Sequence, residues 1–345
     1  MKFFMKTFSA FMIGMTALSS ISVSALAANN NKQHNFEEVT INFAGDCTLG
    51  ADSRYNTLFN TQYNLRGKDW FFSNVKKIFK EDDLTLVNFE GTLTSSTHRA
   101  YKKFTFKGPK KYTGILKSGS VEAVNIANNH SHDFGAQSFS DTKAALSEAD
   151  ILYSGYDKIS YTKIRGVKIA MIGTCVLDGT STAHIRSMVK KAKDRGAELI
   201  IYSFHWGIEG SAFPNSAQST YGKAAIDAGA DIVIGHHPHV LQGIRFYKGR
   251  CIAYSLGNFC FGGNSNPSDK DTMILNVTFK VKDGKTKKNP KVKIIPCSVS
   301  SVSYKNDYRP TPSNTTNTKR ILSKMRYRSK NMNIKISKKG IVKQK

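Results

Sequence analysis

Five apolar runs of strand length each give way to carboxylates, carboxamides or imidazoles: INFAGDCTLG, LVNFEGTLT, NIANNHSHDFG, IIYSFHWGIEG and IVIGHHPHV. A short apolar run bounded by turn residues reads as a buried strand. Between these runs lie helix-like segments, among them WFFSNVKKIFK, KKYTGILKSG, a helix from about 136 to 149, STAHIRSMVKKAKDRG and SAQSTYGKAAIDAG. Strand-helix alternation predicts a layered α/β domain. In such open sheets ligands bind beyond the carboxyl ends of the strands, where these polar residues fall.

From VLQGIRFYKGRCIAYSLGNFCF onward the helical pattern gives way to runs such as TMILNVTFKV and KVKIIPCSVSSV around the turn KDGK. These predict an antiparallel or mixed part of the sheet system. The last stretch, TNTKRILSKMRYRSKNMNIKISKKGIVKQK, reads as one basic helix with a short strand or a frayed tail. The sequence shows no internal repeat and no second hydrophobic core that needs its own domain.

The strand-end residues are Asp46, Asn88, Glu90, Asn128, Asn129, His130, His132, Asp133, His205, Glu209, His236, His237 and His239. Each alone has an ordinary explanation, such as a turn cap, a surface ion pair or a packed histidine. Together they make a set of hard and borderline donors suited to divalent first-row metals. Asp46, Glu90, Asn129, His205, His237 and His239 supply more ligands than one ion needs. They suit two divalent ions (Mn, Fe or Zn) about 3.5–4 Å apart, an arrangement that polarises a phosphoryl-type oxygen. His130 follows a ligand directly and Asp133 can orient it, the pairing an acid-base histidine requires. Pro238 fixes the backbone between His237 and His239, which leaves His236 a supporting role. Asn88 reaches a metal-bound water or braces Glu90. Asn128, Glu209, Ser255 and Asn258 are further supporting candidates, the last two within YSLGNF. Trp206, Phe134 and Phe259 are expected to wall the pocket, and Cys47, on the opposite strand face from Asp46, to pack.

The stretches GDCTLG, NFEGTLT, ANNHSHDFG, FHWGIE, GHHPHVLQG and YSLGNFCF, in this order from Val39 to Pro312, resemble the bacterial capsule-synthesis CapA/PgsA family of poly-γ-glutamate biosynthesis proteins. That family is itself similar to calcineurin-like metallophosphoesterases. The resemblance implies a layered α/β/β/α sandwich of the metallophosphoesterase type. It also implies metal-ligand roles for Asp46, Glu90 (bridging), Asn129, His205, His237 and His239, with His130 as transition-state donor or acid. The chain departs from the wider superfamily at Thr48, where the usual Asp-x-His pattern has histidine, and at Glu90, where aspartate is commoner.

Residues 1–27 place Lys2 and Lys6 before an apolar run ending in Ala25-Leu26-Ala27, the pattern of a secretory signal. An uncleaved membrane anchor is the alternative, although its Ser, Thr and Gly make a poor spanning helix. The expected organisation is a signal at 1–27, a polar linker at 28–38, a domain at 39–312 and a basic C-terminal segment at 313–345, in a secreted or extracytoplasmic protein. A formal charge of +26 favours polyanionic partners, here an anionic envelope polymer such as poly-γ-glutamate, with a membrane-bound capsule synthase as a further partner. No nucleic-acid-binding motif is present. Five cysteines without CxxC spacing predict buried thiols, with one bridge permitted in an exported protein.

Two functions follow: a metal-dependent hydrolase acting on a phosphoester or on an acidic polymer, and a non-catalytic accessory protein that binds the polymer or its synthase. A Ser-His-Asp hydrolase built on Ser203 is a remote third, because Ser203 lacks a nucleophile-elbow context.

Overall fold

The strand Glu37–Thr48 alternates strictly at its start: Val39, Ile41 and Phe43 are fully buried. Their side chains face a second sheet and join its Ile169, Met171, Ile201, Ile232 and Ile234 in one core. The computed structural model describes residues 36–345, so the expected signal sequence and the linker up to residue 35 lie outside the described residues.

The first sheet runs in the order 334–336, 341–344, 291–298, 271–282, 37–48, 84–89, 123–125, 152–154. Its strands from 37–48 to 152–154 are mutually parallel. Those from 271–282 outward pair antiparallel, as the loss of strand-helix alternation predicts. The second sheet, ordered 244–247, 250–253, 232–236, 199–205, 167–175, 160–164, is parallel inside with an antiparallel strand at each edge.

Helices cover the outer faces. On the first sheet, Phe72, Phe79, Ile115, Leu116 and Leu146 form an outer core with Val87 and Val124. On the second, Thr182–Asp194 buries Ile185, Met188, Val189 and Ala192, a 3.6-residue stripe, against Ile172, Ile200 and Val233. Burial of side chains the size of Ile185 or Met188 contributes roughly 1.5–3 kcal/mol each. The Ser181 hydroxyl caps this helix by accepting from the His184 N–H at 3.1 Å. The molecule is therefore an α/β/β/α sandwich, the architecture that the family resemblance implies and a refinement of the layered α/β class read from the residues.

The basic segment 313–345 is built into this sandwich. Asn314 caps the helix Thr315–Arg328, whose Ile321, Leu322 and Met325 enter the core between the sheets. The strands Ile334–Ile336 and Ile341–Gln344 then extend the first sheet. All five cysteines are buried and unbridged. Among the described residues no helix is long and apolar enough to cross a membrane.

Candidate metal centre

The register of the first strand shifts between Phe43 and Asp46 where it pairs with Leu84–Phe89. An extra residue at a bulge reverses which face the following side chains take. Ala44 points into the outer, helix-covered core by simple alternation, and after the shift Cys47 does so as well, while Asp46 turns toward the second sheet, where it meets His236, His237 and His239. Gly45 permits this, because a Cβ there would lie 1.9 Å from the Gly257 oxygen.

The second sheet delivers its donors from two adjacent parallel strands. His205 and His236 sit directly opposite each other at the ends of Leu199–His205 and Ile232–His236. A Cβ at Gly235 would meet the Tyr254 oxygen at 2.0 Å, so only glycine lets the strand approach that close. Beyond it His237 and His239 adopt φ values of 94° and 58° on either side of Pro238. Non-glycine residues in this region carry strain of about 1–3 kcal/mol each, and such strain clusters at ligand clamps.

Asp46 Oδ2 lies 3.2 Å from His239 Nδ1, and Asp46 Oδ1 lies 3.4 Å from His236 Nδ1. Glu90 Oε1 lies 3.6 Å from His239 Nε2 and 3.8 Å from His130 Nε2. Asn129 Oδ1 is 2.7 Å from His205 Nε2. Two groups of donors have every ligand atom within 4.8 Å of the others: Asp46, Glu90 and His205, and beside them Glu209, His237 and His239. All six residues proposed as ligands from sequence thus meet in one place, and Glu209 stands among them.

The fit to divalent cations rests on unmet hydrogen-bonding capacity. Glu90 is fully buried, yet neither of its carboxylate oxygens has a hydrogen-bond partner, and the buried Nδ1 of His237 and both ring nitrogens of His236 also have none. Burying a carboxylate without hydrogen bonds costs several kcal/mol. A divalent cation held by these residues would offset that cost, and their oxygen and imidazole donors are of the kind that bind such ions.

Burial holds His205 well below the ordinary histidine value, and burial with His239 nearby lowers His237 to about 4, so both are neutral as ligation requires. Burial would also lower His239, but the carboxylates of Glu90 and Asp46 outweigh it and raise that imidazole. Burial raises Glu90.

The supporting residues divide. Asn88 donates to Asp46 Oδ1 at 2.8 Å and accepts from Asn125 at 2.8 Å. Of the two roles expected of it, reaching a metal-bound water or bracing Glu90, the bracing goes instead to Asp46, its direct partner across the sheet. Asn128 donates to the Phe89 carbonyl at 2.7 Å, tying its loop to the residue before Glu90. Asn258 Oδ1 is 2.9 Å from His239 Nδ1, and Ser255 accepts from the Gly257 N–H at 3.2 Å within its own turn.

His130 Nδ1 lies 2.7 Å from Asp133 Oδ2. Asp133 accepts from Lys102 at 2.7 Å, and Lys102 also holds the Asn129 carbonyl at 2.6 Å. The Nδ1–H thereby goes to Asp133, which leaves Nε2 toward Glu90. His132 lies outside the centre: it is exposed and packs on Phe139.

The crevice over these groups has a volume of ≈ 280 Å³ and is walled by Phe104, Phe106 and Phe261 beside His130, Glu209, His239 and Asn258. Trp206, Phe134 and Phe259 do not wall it. Trp206 is fully buried in the outer core of the second sheet and donates to the Tyr254 carbonyl. Phe259 packs in the outer core of the first sheet, and Phe134 lines a separate ≈ 720 Å³ cavity between Asp52 and Glu148 that holds none of the ligands. Lys102, Phe106 and Phe261 escaped the sequence reading; the only local signal for Phe106 was its place in an aromatic-basic run, YKKFTFK.

Residues 40–263 match the family described as bacterial capsule synthesis protein PGA_cap. The chain is 34% identical over 254 residues to the PGA biosynthesis protein CapA of Bacillus subtilis (strain 168), covering 67% of this chain and 65% of that protein. It is 31% identical over 258 residues to the capsule biosynthesis protein CapA of Bacillus anthracis, covering 67% and 61%. It therefore spans somewhat less than two thirds of the length of these relatives. Similar solved structures include a hypothetical protein from Thermus thermophilus, at 13% identity, TM-score 0.47, 74% of this chain and 99% of that one. Another is the 5′-nucleotidase of Candida albicans, at 14% identity, TM-score 0.41, 70% of this chain and 48% of that one. The chain belongs to the bacterial capsule synthesis (PGA_cap) family.

Proposed function

We propose that this PGA_cap family member is an extracytoplasmic, metal-dependent hydrolase that cleaves a phosphoester or a backbone bond of an anionic envelope polymer. Poly-γ-glutamate is the context suggested by relatives named for PGA and capsule biosynthesis. The observation that carries this reading is the fully buried carboxylate of Glu90, which has no hydrogen-bond partner and lies with Asp46 among histidines, two of which, His130 and His239, line an open crevice.

Asp46, Glu90, Asn129, His205, His237 and His239 would hold two divalent ions, of Mn, Fe or Zn. Ions bound there would supply Lewis acidity and a water activated at neutral pH. The chain's own residues do the rest. Asn88 and Asn258 fix the carboxylate and imidazole they touch, so that the donors are aimed before substrate arrives. Asp133 holds the proton on His130 Nδ1, leaving Nε2 to exchange a proton with the leaving oxygen. Phe104, Phe106 and Phe261 give one side of the crevice an apolar wall.

The test is turnover of a model phosphodiester and of poly-γ-glutamate by chain prepared without chelator and supplied with Mn²⁺. His130→Ala should abolish turnover while metal content persists. Turnover that survives exhaustive chelation would refute the reading.

A second reading, an accessory protein that binds the polymer or its synthase, is favoured by one surface. On strands 271–282 and 291–298, Val277, Phe279, Val281, Val292 and Ile294 face the core between the sheets. Thr278, Lys280, Lys282, Lys291 and Lys293 stand on the opposite face, and Lys335 pairs directly across from Lys343 beside them. Like charges opposite each other in a sheet are destabilising. Glu38 pairs with Lys280 and Lys291, but among the described residues Lys293, Lys335 and Lys343 form no salt bridge. This face suits an extended polyanion. Polymer binding without hydrolysis in the same assay would select the accessory role.

A further inference from the structure

We infer that Glu209 is a metal ligand, completing with His237 and His239 the outer of the two cation sites. This rests on the metal-centre reading above and extends it to a residue that composition and spacing gave only a supporting place.

Three observations place it there. Ligand atoms of Glu209, His237 and His239 lie within 4.8 Å of one another, a second such group adjoining Asp46, Glu90 and His205 through His239. Within it the Nδ1 of His237, a residue only 6% exposed, has no hydrogen-bond partner. The loop that carries Glu209 is also tied to the histidine loop, since the Gly210 N–H donates to the Pro238 carbonyl at 2.8 Å. Glu209 is thereby held over the bend that presents His237 and His239.

The electrostatics point the same way. Glu209 lines the crevice beside His130 and His239. A free carboxylate at the mouth would repel the anionic substrates that the rest of the centre is built to receive. As a ligand its charge is neutralised. Three carboxylates, from Asp46, Glu90 and Glu209, facing two divalent ions still leave a net positive centre. Because Glu209 is exposed whereas the inner group is fully buried, the outer ion is the more weakly held and exchangeable one.

The experiment is Mn²⁺ titration of the full chain by calorimetry, with elemental analysis, for wild type, Glu209→Gln and Glu209→Asp. Wild type is expected to bind two ions per chain with different affinities. Glu209→Gln should lose the weaker ion or bind it at least tenfold less tightly, with the tighter ion and the metal-free melting temperature unchanged. Glu209→Asp should recover part of the loss. Two ions retained at wild-type affinities in Glu209→Gln would overturn the assignment of Glu209 alone. No uptake by the wild type would overturn both this assignment and the metal-centre reading.

Discussion

Asn88 donates to Asp46 Oδ1 at 2.8 Å, and its own amide oxygen accepts from Asn125 at 2.8 Å, so three neighbouring parallel strands are linked by one buried line of carboxamides ending on the Asp46 carboxylate. The line aims Asp46 and leaves its second oxygen toward His239. Replacing Asn88 with Ala should weaken metal binding by about 10–100-fold, the usual loss when a ligand's supporting partner is removed. Calorimetric titration with Mn²⁺ checks this, and unchanged affinity would show that Asp46 is held by its histidines alone.

Asp133 joins His130 to Lys102 without touching the donor cluster's carboxylates. Asp133→Asn should lower turnover by about 10²–10⁴-fold and leave metal content intact. Burial holds the His130 imidazole below its ordinary value while Asp133 opposes that. The same substitution should therefore move the acid-base limb of the pH–rate profile to lower pH.

Metal uptake should strengthen with pH. In the cation-free centre burial raises Glu90, and the carboxylates raise His239 against the effect of its burial, so ligation must displace bound protons. Each displaced proton strengthens apparent affinity by up to about tenfold per pH unit until the group titrates. Titrations between about pH 6 and pH 9 test the sign; affinity that falls as pH rises contradicts the ligand set.

The lysine face predicts a separable binding activity. Lys293→Glu combined with Lys343→Glu should weaken binding to poly-γ-glutamate and flatten its dependence on salt, because both residues are exposed and stand on the same uncovered sheet face. Metal content should not change. Fluorescence anisotropy with labelled polymer at several salt concentrations reads the effect, and equal affinities would remove this face from the binding surface.

The C-terminal helix should matter to the whole fold. Leu322 and Met325 are fully or almost fully buried in the core between the sheets, so Leu322→Ala should cost about 2–5 kcal/mol. Urea unfolding measures it, and a loss under about 0.5 kcal/mol would mean the helix is peripheral.

The layered α/β class and the position of the donors were legible in the residues themselves. Apolar runs alternating with helical stripes report their own burial locally, and a polar residue after such a run must emerge at a strand end. Asp46, Glu90, Asn129, His205, His237 and His239 could be singled out on that basis because each follows a strand-like run, although those strands belong to two sheets. Other features depended on pairings that chain order does not express. Asp46 faces the second sheet only because a register shift at Gly45 reverses the strand's alternation. Asn88 turned to Asp46 and not to Glu90 because cross-strand register, not adjacency, sets its partner. Phe104, Phe106 and Phe261 wall the crevice in place of Trp206, Phe134 and Phe259, since a side chain's face follows from what packs behind it. Sequence thus determined which chemical groups stand at the strand ends. Tertiary structure decided which of them touch, because Asp46 and His237 approach each other across 191 residues and the geometry of two packed sheets, not the spacing along the chain, sets that distance.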